Sequence, residues 1–340
     1  MKMPIMLIIG GYRKPCGALM QNPLYNTLRP MLPKSQGTTT VLVTYSDQGS
    51  VAIGKKKGVQ YYRDRNGQTS QAHSKCNLLT AFYLTLSNLA IIHFDGQDQE
   101  GYFMMHSVPR LPITGATEFE YPESSLENGQ MLFCVTLTRR SMDDLLDELP
   151  HIKPKIQRSH MGVSVNIGRH FRQYITKTYV NRDHCARDTV VQTLLLSSAG
   201  VRFTLFRKTT LSRRDLFTDI GDAYNCAFMV QSWTTELDRY DGIVKNDGCQ
   251  ANYRVQNILR TTFAGVYSGN SATTDHSKYA FSDPATCARQ VVCFSDLNRT
   301  YQHTQRSGFA ICTDQLPQVY AWLSGASTRH RNYLEACQNG

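Results

Sequence analysis

His-Ser-Lys occurs twice in this 340-residue chain, at 73–75 and at 276–278, with 276 − 73 = 203 positions between the two histidines. One copy per half constrains the fold more than any bulk property, because it argues for duplicated halves that face each other. On an extended segment, residues i and i+2 point to one side. Imidazole and ammonium then project together, and the serine faces away. The ammonium can neutralise phosphate oxygens, while the imidazole attacks phosphorus or moves a proton. Two facing copies place a histidine on each side of one phosphodiester, one as nucleophile and one as acid for the leaving oxygen. The lysines stand in for a metal's charge, so no metal or other cofactor is expected. No carboxylate cluster or metal-spaced histidine set accompanies the triplets, which disfavours a metal hydrolase.

The pattern around the triplets predicts alternating strands and helices. Strands are expected over 38–46, 89–94, 101–108, 130–138, 199–208, 226–233, 290–297 and 308–313, where β-branched and aromatic residues run between Gly, Asp and Pro. Helices are expected over 141–150, capped by Ser141 and ended by Pro150, over 213–225, and over 316–327 with Pro317 in its first turn. The polar, proline-bearing stretch 151–160 reads as a midpoint linker. This mixture in both halves favours an α/β architecture. By pattern alone, His106 at the end of an apolar strand reads as a core histidine.

The net charge of +10 favours a polyanionic partner: nucleic acid, a heparin-like chain or anionic lipid. No apolar run is long enough to span a membrane, so no membrane insertion is expected. Ten widely spaced cysteines without a C-x-x-C pair suit a few disulfides in an oxidising compartment rather than a zinc ribbon. Asn298-Arg299-Thr300 is a glycosylation sequon. The N-terminal "MKMPIMLIIGGYRKPCGAL" admits two readings, a signal segment or a buried first strand.

The segments "VTYSDQ" (43–48), "AHSKCNLL" (72–79), "GYFMMHSVPRLP" (101–112), "NGQMLFCVTL" (128–137), "DHSKYAF" (275–281), "SDLNRTYQHTQRSGFAICTDQLP" (295–317) and "RNYLEACQNG" (331–340) together resemble the deoxyribonuclease II family. The likeness runs from about residue 17 to the end. It implies an α/β fold of two pseudo-symmetric phospholipase D-like halves, each a mixed β-sheet flanked by helices. Residues 17–154 would carry the first H-x-K and 155–340 the second, with 1–16 an atypical start, a signal remnant or a substitute strand. The resemblance implies metal-independent hydrolysis of DNA at acid pH, leaving 3′-phosphate and 5′-hydroxyl ends, in a lysosomal or secreted setting, by a homodimer. His73 and Lys75 would form one half-site and His276 and Lys278 the other. His106 and Asn298 would support them as phosphate ligands, which reverses the core reading of His106. His73 is assigned as nucleophile and His276 as general acid, although the two could be exchanged. Cys293 would pair with Cys312, and Cys249 with Cys337, each closure contributing roughly 3–4 kcal/mol in the chain-entropy model. Cys16 is a candidate partner for Cys134.

Departures from the family pattern are local. Ala72 and Cys76 stand where glycines are usual, Tyr279 replaces a usual Trp, and Ala280 a usual Cys. Asp283 follows Lys278 by five residues, but Thr80 holds that place in the first copy, so the spacing reads as coincidence. Two rival functions remain: a secreted DNA-binding relative with impaired catalysis, and a phospholipase D-type phosphodiesterase acting on lipid.

Overall fold

A computed structural model describes residues 5–9, 40–46, 52–56, 59–62, 89–95, 100–108, 128–154, 156–162, 165–176, 190–233, 255–263, 267–270 and 274–329. In chain order the first elements are β1 (Ile5–Ile9), β2 (Thr40–Ser46), β3 (Ala52–Lys56), β4 (Val59–Tyr62), β5 (Leu89–Asp95), β6 (Glu100–His106), β7 (Met131–Thr138), α1 (Arg139–Ile152), β8 (Ile156–Met161) and α2 (Arg169–Ile175). Then come β9 (Val191–Leu196), β10 (Arg202–Lys208), α3 (Leu216–Tyr224), β11 (Phe228–Gln231), β12 (Val255–Phe263), β13 (Tyr267–Asn270), β14 (Tyr279–Ser282), β15 (Val292–Ser295), α4 (Tyr301–Thr304), β16 (Gly308–Thr313), α5 (Pro317–Ala326) and β17 (Ser327–Arg329). The α/β expectation holds. Two large sheets form, one six-stranded in the order β1-β7-β6-β5-β2-β8 and one nine-stranded with the path β13-β12-β11-β14-β15-β16-β10-β9 and β17 beside β12. The described pairings of the first sheet are antiparallel. The second contains a parallel pair, β11 with β12. β3 and β4 form a separate antiparallel pair.

The central strands of the second sheet read as continuous apolar runs because both faces are covered. Every residue of β14, β15 and β16 is buried. One face, with Phe281, Val292, Phe294, Phe309 and Ile311, packs into a core shared with Phe103, Phe133 and Val135 of the first sheet. The opposite face, with Ala280, Cys293, Ala310 and Cys312, packs under Leu216, Phe217 and Ile220 of α3. Across the shared core, Phe133 stacks on Phe294 with centroids 4.4 Å apart, and Phe103 and Tyr45 both reach Phe309. Phe133→Ala should therefore loosen both sheets at once, lowering unfolding stability by about 3–5 kcal/mol in urea titration. A loss below about 1 kcal/mol would show that the sheets do not share this core.

α1 begins earlier than its sequence signal. Thr138, not Ser141, is its N-cap, and the Thr138 side chain accepts the Ser141 amide. Ser141 is drawn away because its Oγ accepts the Leu196 amide of β9 at 2.7 Å. Pro150 lies inside the last turn, and the helix closes at Lys153 in the left-handed region. The buried stripe Met142, Leu145, Leu146, Leu149 and Ile152 has the spacing of one helical face. Glu148 on the same helix pairs with Arg207 of β10 at 2.5 Å, so α1 ties one sheet to the other.

The midpoint linker expected over 151–160 is not a linker. Its first residues finish α1, and 156–161 is β8, hydrogen-bonded to β2 in the first sheet. Its polar sequence hid it, since β8 sits at an edge and needs little apolar surface. The first sheet thus takes a strand from beyond residue 154. At the other edge, Ile5–Ile9 forms β1 beside β7.

Cys293 and Cys312 are directly opposed on β15 and β16 and are joined as a disulfide. A second bridge, Cys226–Cys287, was not anticipated and ties the start of β11 to the turn after β14. Cys134 is a free, buried thiol, which corrects its suggested pairing with Cys16. It sits mid-strand with Met6 and Met104 at its register positions, so neither neighbour offers a sulfhydryl. Cys16, Cys249 and Cys337 lie outside the described residues. Among the described residues, no helix is long and apolar enough to cross a membrane.

Candidate active site

The second triplet precedes β14 instead of lying on it. Asp275 turns the chain there: its Oδ1 accepts both the amide and the hydroxyl of Ser277, at 3.0 and 2.5 Å. Ser277 thus turns to Asp275, two residues back, as side chains at i and i+2 do along an extended segment. His276 and Lys278 still remain together, with Lys278 Nζ donating to the His276 carbonyl at 3.2 Å. Both side chains are buried, His276 at 6% and Lys278 at 1% exposure.

The first half of the chain reaches this triplet directly. The Gly129 carbonyl accepts the His276 amide at 2.8 Å, and the Gly129 amide donates to Thr274 at 2.7 Å. One residue on, Gln130 Oε1 accepts the Ser107 hydroxyl, and the Met131 amide donates to the same hydroxyl, both at 2.8 Å. His106, fully buried at the end of β6, is therefore held next to a loop that is bonded to His276. His73 and Lys75 lie outside the described residues.

Asn298 lies in the turn between β15 and α4. Its amide donates to His303 Nδ1 at 3.0 Å. The next residue, Arg299, anchors the turn: its amide donates to Ser232 Oγ, its Nε to Asp215 Oδ2 at 2.8 Å, and its Nη1 to Asn257 Oδ1. Asp215 also caps α3 by accepting the Phe217 amide. Asn298 is 3% exposed, and its Oδ1 has no hydrogen-bond partner among the described residues. Asp283 makes a turn, accepting the Ala285 amide on its side chain.

Charge in this cluster is strongly perturbed. Burial, and then the Lys278 ammonium, lower the His276 pKa to about 4. Burial raises Asp275 to about 6 against the opposing pull of its Ser277 bonds. It raises Asp296 to about 7, although Lys278 and Lys208 pull the other way. Asp219, on α3, is raised to about 6 by the same cause. A raised carboxylate binds its proton more tightly in the folded state, so it adds stability at low pH that is lost as pH climbs through the folded value. A lowered histidine does the reverse between its ordinary value and about 4. Three carboxylates outweigh one histidine, so the melting temperature should rise from pH 7.5 to pH 5. A melting temperature that falls over that interval would show these carboxylates ionised in the fold.

Among the described residues, no group of three or more His, Cys, Asp or Glu side chains is placed to hold a metal ion. Sequence reasoning missed Asp275, Gln231, Ser232, Trp233 and the Arg299–Asp215 pair. Only Asp275 had a signal, its place immediately before the second triplet.

Comparison with known families matches residues 18–330 to Deoxyribonuclease II. The chain belongs to this family. Deoxyribonuclease-2-beta of Rattus norvegicus is 28% identical over 219 residues, covering 63% of this chain and 58% of the relative. Plancitoxin-1 of Acanthaster planci is 23% identical over 227 residues, covering 66% and 59%. Deoxyribonuclease-2 of Caenorhabditis elegans is 26% identical over 289 residues, covering 84% and 72%. The chain thus spans less than two thirds of the length of the first two relatives. NucT from Helicobacter pylori overlaps at a TM-score of 0.22 with 14% identity, covering 38% of this chain and 98% of that one, too slight a likeness to bear on the fold. The deoxyribonuclease II resemblance drawn from the motifs therefore holds at the level of family.

Proposed function

We propose that this chain is a metal-independent acid endodeoxyribonuclease. The observation that carries the reading is the burial of His276 and Lys278 at a turn hydrogen-bonded to the loop beside His106, with buried Asn298 on a turn bonded to Ser232, next to the Trp233 that packs on His276. His73 attacks phosphorus and forms a phosphohistidine. His276 gives its proton to the departing 5′ oxygen, and water then cleaves the phosphorus–nitrogen bond, leaving 3′-phosphate and 5′-hydroxyl ends. Lys75 and Lys278 neutralise the non-bridging oxygens, and His106 and Asn298 orient them. Disulfides and a low-pKa acid suit a lysosomal or secreted setting.

Plasmid nicking at pH 5 in excess EDTA tests the reading, with end-group analysis of the products. Nicking that continues in EDTA and leaves 3′-phosphates supports it. Turnover of phosphatidylcholine vesicles without nicking would favour the lipid phosphodiesterase. Salt-sensitive DNA binding without turnover would favour a binding relative.

The same site sets the pH profile. A general acid of pKa about 4 is mostly deprotonated above pH 5. A neutral nucleophile must coexist with the protonated acid, so kcat/KM for nicking should fall about tenfold per unit once pH exceeds both histidine pKa values. A profile that does not fall above the ordinary histidine pKa of about 6.5 would remove a protonated histidine from the reaction.

A further inference from the structure

Three consecutive residues leaving β11 each touch a different part of the candidate site. The Gln231 side-chain amide donates to the Asp275 carbonyl at 3.3 Å. Ser232 Oγ accepts the Arg299 amide at 3.0 Å, beside Asn298. The Trp233 ring packs against the His276 ring with centroids 5.0 Å apart and planes tilted by 54°. The strand end is thus wedged between the histidine turn and the asparagine turn, and its last residue faces the imidazole.

Trp233 is 8% exposed, and its Nε1 is buried with no hydrogen-bond partner among the described residues. A buried tryptophan N–H ordinarily finds an acceptor, and leaving one unpaired costs free energy. A phenylalanine would cover His276 equally well without that cost. The indole N–H donates only, so its missing partner must be an acceptor. Lys278, whose ammonium lies near enough to lower the His276 pKa, makes an anionic acceptor the favoured one. A ligand carrying a negatively charged oxygen matches an indole donor beside an ammonium.

We propose that the Trp233 indole N–H is a ligand of the substrate's phosphate, donating to a non-bridging oxygen beside His276. The assignment rests on the phosphodiesterase reading of this same site and adds a residue to it. A neutral donor has an advantage here. Another cation next to His276 would suppress its protonation further, whereas an indole binds the oxygen without doing so.

The chain has two tryptophans, and Trp322 is 40% exposed against Phe263. Trp322→Phe therefore leaves Trp233 as the sole indole reporter. In that variant, inorganic phosphate at pH 5 should change the emission saturably. Calorimetric titration with inorganic phosphate should show Trp233→Phe binding roughly ten- to a hundred-fold more weakly than wild type, the range for a hydrogen bond to a charged group. Near-UV dichroism and melting temperature close to wild type would show that Trp233→Phe is folded. A folded Trp233→Phe that binds phosphate like wild type overturns the assignment, as does emission indifferent to phosphate. If both binding results hold but the wild type does not nick plasmid, the ligand assignment stands and the nuclease reading falls. If the wild type nicks and Trp233→Phe nicks equally well, the nuclease reading stands and the assignment falls.

Discussion

His276→Ala is expected to lower plasmid nicking at pH 5 by on the order of 10²–10⁴-fold while the protein stays folded, the range for loss of a positioned proton donor. The side chain is buried against Trp233, but its structural bond, to the Gly129 carbonyl, is made by the backbone amide and survives the substitution. DNA affinity should change little, because Lys278 and the basic surface remain. That split between turnover and binding is the informative result. Equal losses in both would mean that alanine has collapsed the site, and an unchanged rate would place the chemistry elsewhere. Substrates with a good leaving group, such as a p-nitrophenyl phosphodiester, need less protonation. They should lose far less rate if His276 is the acid, and just as much if it is the nucleophile.

The second large effect is on stability. Asp215→Ala removes the carboxylate that holds Arg299, and both side chains of that pair are nearly inaccessible, at 4% and 2%. Stranding a buried guanidinium costs about 3–5 kcal/mol, and the lost N-cap of α3 adds about 1 kcal/mol. Arg299→Lys should rescue little. The guanidinium sends Nε to Asp215 and Nη1 to Asn257, a fork that an ammonium cannot reproduce. The measurement is urea unfolding of the single variants and of the double Asp215→Ala, Arg299→Met. A double variant more stable than Asp215→Ala alone would identify the stranded charge as the cause. A single-variant loss below about 1 kcal/mol would mean that water already reaches the pair.

Much of the element order was legible because burial follows periodicity. The runs over 308–313 and 316–327 appear as β16 and α5 with boundaries within a residue. β8 was illegible because an edge strand carrying Gln157, Arg158, Ser159 and His160 has no apolar face to advertise it. The site was half legible. A repeated triplet marks His276 and Lys278, since chemistry limits what can stand there. The groups that hold them, such as Ser232, Trp233 and Asp215, are distant in the chain and acquire meaning only when β11, β14 and the Asn298 turn are adjacent. Asp275 stood next to the triplet, but chain order alone does not say that its carboxylate grips Ser277.

The bond from Gly129 to the backbone of His276 has a consequence for the life history of the molecule. Some 150 residues separate them along the chain, so that contact cannot exist until both segments are synthesised and the two sheets have closed. On the nuclease reading, a nascent or partly unfolded chain is thereby kept from presenting a finished cutting centre to the nucleic acid around it, a safeguard that comes from connectivity and needs no separate inhibitor.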